Sequence, residues 1–344
     1  MSGAINVAVV GATGPVGEAI IEFLDQRDLA VGRLYPLECA DSAADTIGNK
    51  VRFGGGYLTV QDVAGFDFSK ADVALFAKEA AVAAAYAPGA ADAGCVVIDS
   101  SPQFRGELDV PLVVPEVNAG ALAGFRARNI IASPSCSTIQ MWMVLKPVYD
   151  AVGIERINVA TYQAVSGAGR NAVEDLARQT IALLSMKDVD NRVFPKQMAF
   201  NVLPAIGAIE ENGYTREEMK MVSESQKILG DEAIVLNPTA VRVPVFFGHA
   251  QALHVETRDA IDASQVRESL ERTPGVTVVD SLEVGGYPTA VTEAAGSDAV
   301  YVGRIRNDIS HSHGLAMWVV TDNVRKGAAL NCVQILELLV KDYL

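Results

Sequence analysis

The chain has 344 residues, enough for two domains with separate cores, and half of its residues are hydrophobic. No apolar run approaches the roughly 18 uninterrupted residues of a membrane span, and the first residues show no export signal. The net charge of −14 argues against a nucleic-acid partner, because binding phosphates requires a concentrated basic face.

Cysteine usage narrows the class of protein further. The four cysteines have no paired spacing: Cys39, Cys95, Cys136 and Cys332. This scatter argues against a disulfide framework and against a metal site, and it fits a reducing compartment. We therefore expect a cytoplasmic protein that acts on a small molecule and binds no metal, nucleic acid or membrane.

The first part of the chain, about 130 residues, alternates strand-like and helix-like segments, the pattern of a parallel sheet. Apolar runs predict strands at residues 5–10, 71–76 and 95–99, and helical spacing predicts helices at 16–24 and 80–93. After Cys136 the regular alternation of strands and helices ends. The remaining sequence predicts strands at 155–166, 240–247, 251–258, 300–305 and 315–321, and helices at 171–184, 215–229 and 326–343. We therefore predict an α/β protein: a Rossmann-like parallel-sheet domain followed by an α+β domain.

A glycine-rich turn follows the first strand and opens the first helix. Residues 11–17 read GATGPVG. Glycines let the backbone approach a pyrophosphate, and the start of a helix supplies N–H groups and positive potential. An ordinary tight turn would not need three glycines. The turn predicts a dinucleotide site made by Gly11, Thr13, Gly14, Val16 and Gly17.

The end of the second strand bears on which dinucleotide is bound. Glu38, Asp41 and Asp45 lie there, and no Arg or Lys occurs between Arg33 and Lys50. A carboxylate at this position commonly holds a free ribose 2′-hydroxyl, whereas a 2′-phosphate calls for a cation. These residues favour NAD, or weak discrimination between NAD and NADP. The alternative is that the acids are solvated loop residues without a role in binding.

Cys136 is the candidate nucleophile. It follows the apolar run of residues 129–132 and the sequence SPS, so it lies at a tight strand-to-helix connection. Backbone N–H groups at the start of the following helix stabilise a thiolate and hold a developing oxyanion. The alternative is a buried structural cysteine.

His249 is the candidate proton-transfer group. It follows Gly248 after an apolar run, at the expected mouth of a cleft, where a pKa near neutrality would let it move a proton in either direction. Glu217 and Lys220 share a helix face at i and i+3. Without further context, a surface ion pair is the better interpretation of Glu217 and Lys220, and Arg105 could likewise be a plain surface arginine.

Seven segments in order along the chain resemble aspartate-β-semialdehyde dehydrogenases over essentially its whole length. The segments are GATGPVG (11–17), DVPLVVPEVN (109–118), CSTIQ (136–140), TYQAVSGAG (161–169), EEMK (217–220), RVPVFFGH (242–249) and DNVRKGAA (322–329). The resemblance implies a dinucleotide-binding domain over residues 1–132 and 324–344, and a catalytic and dimerisation domain over 133–323. It also implies a homodimer.

The reaction of that family is the reversible, NADP-dependent reductive dephosphorylation of L-aspartyl-4-phosphate to L-aspartate-4-semialdehyde, which supplies lysine, threonine, methionine and diaminopimelate biosynthesis. The resemblance implies a thioacyl intermediate on Cys136, with His249 as acid–base and Gln163 orienting the site. The implied substrate ligands are Arg242 for the α-carboxylate, Glu217 for the ammonium, Lys220 and Arg105 for the phosphate, and Ser135. The implied cofactor contacts beyond the glycine turn are Ser42, Ser166, Gly167, Gly169 and Asn323.

The chain departs from the family pattern at three places. Ser135 replaces the usual asparagine before the cysteine, and Asp41 replaces the usual arginine that would meet a 2′-phosphate. Lys78 and Glu79 stand in a loop that is usually glycine-rich, and Lys78 offers a cation from another direction. We therefore expect NADP to serve, with NAD also possible. The alternatives are a non-catalytic paralogue of the same fold and a reductase of N-acetylglutamyl phosphate.

Overall fold

A computed structural model describes residues 3–40 and 46–344. The chain divides into two compact units, Met1–Ser135 with Ala328–Leu344, and Cys136–Gly327. Asp41 and Ser42, which the sequence associates with the cofactor, lie outside the described residues. In the described parts of the chain, no helix combines the length and the apolar character that crossing a bilayer requires.

The first unit is built on a six-stranded sheet in which every pair of neighbours is parallel. Its central strands are buried along their whole length, as expected of a parallel sheet covered on both faces. The strands of this sheet are β1 (Ile5–Val10), β2 (Val31–Glu38), β5 (Gln61–Asp62), β6 (Val73–Phe76), β7 (Val96–Asp99) and β8 (Ile130–Ala132), in the order β5-β2-β1-β6-β7-β8. A separate hairpin pairs β3 (Lys50–Phe53) with β4 (Gly56–Thr59).

Helices of the first unit connect and cover this sheet. Its helices are α1 (Pro15–Gln26), α2 (Ala80–Asp92), α3 (Pro115–Asn118) and, from the end of the chain, α8 (Leu330–Asp342). Helix α8 packs against α1 and α3, and Arg27 after α1 pairs with Glu337 on α8. The C-terminal segment therefore belongs to the first unit.

The second unit contains a mixed six-stranded sheet. Its strands are β9 (Ile154–Gln163), β10 (Val235–Arg242), β11 (His249–Thr257), β12 (Val276–Val278), β13 (Val300–Asn307) and β14 (Gly314–Thr321), in the order β10-β9-β11-β14-β13-β12. Its helices are α4 (Cys136–Val152), α5 (Arg170–Leu184), α6 (Arg216–Leu229) and α7 (Ala263–Glu271). Helix α4 packs against four strands of the sheet. A parallel-sheet unit followed by this mixed-sheet unit confirms the predicted fold class.

Strand directions bring several polar residues to the same end of the second sheet, where neighbouring strands end or begin. Strands β9 and β10 are parallel, and their last residues, Gln163 and Arg242, are paired in register. Strand β11 is antiparallel to β9 and begins at His249. Strand β14 is antiparallel to β11, so its last residue lies at the same end of the sheet, and Asn323 follows two residues later.

Three predicted elements were wrong in their bounds. The strand predicted at 155–166 is β9, which ends at Gln163, and Val165–Ala168 form a 3-10 turn instead. The strand predicted at 240–247 is β10, which ends at Arg242, and residues 243–248 form no strand. Pro244 cannot donate a ladder hydrogen bond, whereas Pro238 is tolerated because β10 lies at the edge of the sheet. The closing helix, predicted from residue 326, begins as α8 at Leu330 after a wider π-helical turn over Arg325–Ala329.

Candidate active site

Ala164, the residue after β9, forms backbone hydrogen bonds with both His249 and Arg242. Its backbone N–H donates to His249 Nδ1 at 3.2 Å, and its carbonyl oxygen accepts from Arg242 Nη1 at 2.7 Å. His249 is completely buried and Arg242 is 6% exposed. One peptide segment therefore fixes the orientation of both side chains.

His249 is held as a neutral ring. Burial first, and then the positive charge of Arg242, lower its pKa to about 3, while a backbone hydrogen bond at Gly248 acts in the opposite direction. The sequence predicted a group at a cleft mouth with a pKa near neutrality, and both expectations are wrong because the ring is buried. Since Nδ1 accepts the Ala164 N–H, the neutral ring carries its proton on Nε2. That atom is buried and has no hydrogen-bond partner among the residues that the structure describes.

Gly167 keeps open the space in front of these two side chains. A Cβ atom built on Gly167 would lie 3.0 Å from Arg242 Nη1 and 3.2 Å from His249 Nε2. Contacts this short require a neighbour to give way by a few tenths of an ångström. Glycine at this position therefore leaves room where His249 Nε2 and the guanidinium of Arg242 come together.

Two glutamines fasten the start of α4, where Cys136 lies, to the sheet. Gln163 Nε2 donates to Ser137 Oγ at 3.0 Å, and Gln251 Nε2 donates to the Ser137 carbonyl at 2.8 Å. A Cβ atom on Gly327 would lie 2.7 Å from Cys136 Cβ, so the chain also passes close behind the cysteine. Sequence reasoning missed Ser137 and Gln251, since neither residue type carries a chemical signal without its partner.

The charged groups predicted to bind substrate are close to one another. Lys220 Nζ lies 3.5 Å from Glu217 Oε2, and Glu217 Oε1 is 3.5 Å from Gln163 Nε2. Burial lowers the pKa of Arg242, while its electrostatic interactions with Glu217 and Cys136 act to raise it. The structure thus brings five predicted site residues of this unit into one network with His249: Cys136, Gln163, Glu217, Lys220 and Arg242.

Ser166 and Asn323, both predicted cofactor contacts, bind one another. Asn323 Nδ2 lies 3.1 Å from Ser166 Oγ, and Asn323 Oδ1 accepts from the Gly248 N–H at 3.1 Å. Asn323 therefore also positions the turn from which His249 extends. Gly169 precedes α5 with a φ of +89°, a backbone conformation that residues other than glycine rarely adopt.

The glycine turn of the first unit has the shape that a dinucleotide requires. A Cβ atom on Gly17 would lie 2.0 Å from the Gly11 carbonyl oxygen, and one on Gly14 would meet its nearest atom at 3.5 Å. Helix α1 begins directly after Gly14, which offers no side-chain cap, and Val16 lies in its first turn. Backbone N–H groups at this helix start are therefore suited to a pyrophosphate. The structure fits the predicted cofactor here, and the hydroxyl of Thr13 donates to Glu38 at 2.7 Å.

Arg105 and Ser135, two further predicted substrate ligands, belong to the first unit. Arg105 is partly buried and its Nη2 donates to the Ser100 carbonyl at 2.7 Å. Ser135 is 6% exposed and immediately precedes helix α4.

Comparison with known proteins places the chain in a class. Residues 6–125 match the family model described as semialdehyde dehydrogenase, NAD binding domain, and residues 145–326 match semialdehyde dehydrogenase, dimerisation domain. The matches correspond to the two units of the fold, which defines a two-domain semialdehyde dehydrogenase with a nicotinamide dinucleotide as cofactor.

Full-length relatives narrow the class. An aspartate-semialdehyde dehydrogenase of Shewanella violacea is 56% identical over 343 residues, with 100% of both chains covered. Aspartate-semialdehyde dehydrogenase 2 of Vibrio cholerae is 54% identical with the same coverage. A crystal structure of aspartate semialdehyde dehydrogenase II from Vibrio cholerae, complexed with ASA, is 53% identical with a TM-score of 0.96, and 100% of both chains is covered. The chain belongs to the aspartate-semialdehyde dehydrogenase family and is an oxidoreductase.

Proposed function

We propose that this enzyme catalyses the reversible, NADP-dependent reductive dephosphorylation of L-aspartyl-4-phosphate to L-aspartate-4-semialdehyde through a thioacyl intermediate on Cys136. The observation that carries the proposal is the buried, unpartnered His249 Nε2 beside Arg242 and the Gly167 gap. A buried polar atom without a partner is costly and therefore calls for a ligand. The Vibrio cholerae structure complexed with ASA supports the same substrate.

The charges of the site match those of the proposed substrate. Arg242 is oriented for a carboxylate, which a guanidinium binds through two parallel hydrogen bonds. Glu217 supplies the negative charge that an α-ammonium needs, and Lys220 beside it, with Arg105 of the first unit and Ser135, serves the phosphate. The Glu217 carboxylate would meet no cation in an N-acetylated substrate, so the network favours the free amino acid.

The chain's own residues carry the proposed acyl transfer. The Cys136 thiolate forms a bond to the carbonyl carbon of the acyl phosphate, and the carbon–oxygen bond to phosphate breaks as phosphate leaves with the electron pair. Because its proton is on Nε2, the neutral His249 donates a hydrogen bond that stabilises the negative charge developing on the reacting oxygen. Gln163, anchored to Ser137, keeps the cysteine in position.

A nicotinamide dinucleotide, when bound, supplies the hydride for reduction of the thioacyl group. The residues that would hold it are Gly11, Thr13, Gly14, Val16 and Gly17 of the turn, with Ser166, Gly167, Gly169 and Asn323 of the second unit. Ser42, outside the described residues, would contribute near the ribose. NADP is the family cofactor, and NAD is a second candidate because Asp41 replaces the expected arginine.

We also propose a cytoplasmic homodimer that serves the biosynthesis of lysine, threonine, methionine and diaminopimelate. The match to a dimerisation domain supports self-association. So does the sheet of the second unit, which carries a cavity of 540 Å³ lined largely by apolar residues such as Tyr162, Tyr287 and Trp318. None of the four cysteines, all of which lie in the described parts of the chain, forms a disulfide, which supports a reducing compartment.

A phosphate-dependent dehydrogenase assay with two aldehydes tests the proposed reaction. We expect rapid oxidation of aspartate-4-semialdehyde and at least about a tenfold lower kcat/KM for N-acetylglutamate semialdehyde, because the partly buried Glu217 carboxylate would lose a charge-assisted contact with the substrate while keeping Lys220. Glu217→Gln should reduce that preference. The reverse preference would assign the chain to the acetylated substrate, and no activity with either aldehyde would support a non-catalytic paralogue.

A further inference from the structure

Glu38 ends β2, the position at which dinucleotide-binding sheets place a carboxylate for the ribose 2′-hydroxyl. Its side chain is completely buried. Three donors hold it: the Thr13 hydroxyl at 2.7 Å on Oε2, and Lys78 Nζ at 2.8 Å and the Cys39 N–H at 3.1 Å on Oε1. A carboxylate offers about four acceptor sites, so these donors leave one.

Lys78 covers this carboxylate from the loop after β6. Its side chain is 19% exposed, and a Cβ atom on Gly11 would lie 3.4 Å from Lys78 Cβ, so the lysine borders the glycine turn. Burial acts to raise the pKa of Glu38, but hydrogen bonds from Lys78, Thr13 and the Cys39 N–H outweigh it and hold the pKa below its usual value. Glu38 is therefore ionised, and Lys78 is its counter-ion.

Two more carboxylates make the surroundings of this pair negative. Asp62 on β5 is paired in register with Glu38, and Glu79 follows Lys78. The same charges act on the neighbouring Cys39 thiol: burial first raises its pKa, Glu38, Glu79 and Asp62 raise it further, and Lys78 lowers it. Among the described residues that act on Cys39, one cation thus faces three carboxylates.

We propose that the Glu38–Lys78 pair determines cofactor specificity in this enzyme and makes NAD(H) bind at least as tightly as NADP(H). A free 2′-hydroxyl accepts from Lys78, which is 19% exposed and has further N–H donors, while the buried Glu38 carboxylate holds this lysine in place. A 2′-phosphate, by contrast, would bring about two negative charges to a site whose cation is already engaged. The inference rests on the proposed function, because it takes the glycine turn to be the dinucleotide site.

Direct binding measurements on the full chain test this inference without turnover. Dissociation constants of NADH and NADPH, and of AMP and adenosine 2′,5′-bisphosphate, are measured for the wild type, Glu38→Gln, Lys78→Met and Glu22→Gln. Glu22 is an exposed acid on α1, so its change matches the charge change at Glu38 and serves as the control.

The two variants should shift the preference in opposite directions. Glu38→Gln frees Lys78 and should shift the ratio of the NADPH and NADH constants about tenfold towards NADPH, the size of one charge-assisted contact of about 1.4 kcal/mol. Lys78→Met should shift the ratio towards NADH, and Glu22→Gln should leave it unchanged. A merely structural pair would change the affinity for both cofactors equally.

A wild type that binds NADPH more than tenfold tighter than NADH would overturn the inference, even if both variants fail to fold. The inference would also be overturned if each variant changed the dissociation constants of NADH and NADPH by the same factor. If neither cofactor and neither fragment binds, the dinucleotide site of the proposed function is itself wrong. Preference for the bisphosphate over AMP in the wild type would overturn the inference while leaving the proposed reaction intact.

Discussion

His249 shows how far burial moves a side chain from the behaviour its type suggests. The sequence indicates a histidine near neutrality, but no pattern reveals that the ring is enclosed, with Ala164 N–H on one nitrogen and Arg242 nearby. In the folded enzyme the group is neutral well below its ordinary pKa. It therefore enters the reaction as an Nε2–H donor.

His249→Gln tests this role. We expect kcat to fall by about 10²–10³ with little change in KM, as for a lost hydrogen-bond donor to the developing negative charge. Because the pKa of His249 is about 3, the ring stays neutral from pH 5 upwards, so the pH profile of kcat/KM should keep its shape in the variant. A wild-type limb near pH 6.5 that disappears in His249→Gln would show that the histidine titrates, contrary to the structure.

Glu38 illustrates a second limit of sequence reasoning at this scale. Its place at the end of β2 was predictable, and so was its interpretation as a possible ribose ligand. Its partner Lys78 is 40 residues further along the chain, and only the pairing of β1 with both β2 and β6 brings the two together. Contacts between different strands of a sheet cannot be read from local pattern.

At the scale of elements, most strands and helices follow from the periodicity of the sequence. Strand β1, helix α2 and helix α5 lie within a residue or so of the predicted bounds. One exception is β10, where the alternating Val241, Val243 and Val245 suggested a strand that continues past Arg242. Pro244 ends the strand. Arg242 is therefore its last residue, beside Gln163 at the end of β9.

The glycine turn offers a matched pair of variants. Gly17→Ala would place a Cβ atom 2.0 Å from the Gly11 carbonyl oxygen, whereas Gly14→Ala would make only an ordinary contact at 3.5 Å. We expect Gly17→Ala to lower Tm by several degrees, since overpacking costs about 1–3 kcal/mol. Gly14→Ala should keep Tm and weaken dinucleotide binding, because the helix start becomes less accessible. Thermal unfolding with and without cofactor separates the two effects, and equal Tm losses would contradict the geometry.

At the scale of the whole molecule, the sequence predicted the fold class, whereas the outer face of the second sheet carried no recognisable signal. Gln251 contacts α4, and neighbouring residues of a strand point to opposite faces. Ala250 and Ala252 accordingly line the cavity with Trp318 on the other face. Small apolar residues at strand spacing suit either a core or an interface, so the sequence alone does not distinguish them.

The proposed homodimer is testable through this face. We expect the wild type to have twice the chain mass of 36.4 kDa by light scattering at micromolar concentration. Ala252→Arg should produce monomers, because it adds a third cation near Arg304 and Arg306, which also line the cavity. Circular dichroism checks that the variant is folded. A monomeric wild type, or a folded Ala252→Arg dimer, would contradict the assignment of this face.

The central claim, an acyl enzyme on Cys136, is tested most directly by intact-protein mass spectrometry. The enzyme is mixed with aspartate-4-semialdehyde and oxidised dinucleotide without phosphate, so that oxidation proceeds but the acyl group has no acceptor. We predict one aspartyl adduct per chain, mapped to Cys136, while buried Cys95 and Cys332 stay unmodified. Phosphate should remove the adduct, and Cys136→Ser should form none. Dinucleotide reduction without an adduct, or an adduct on another residue, would contradict the account.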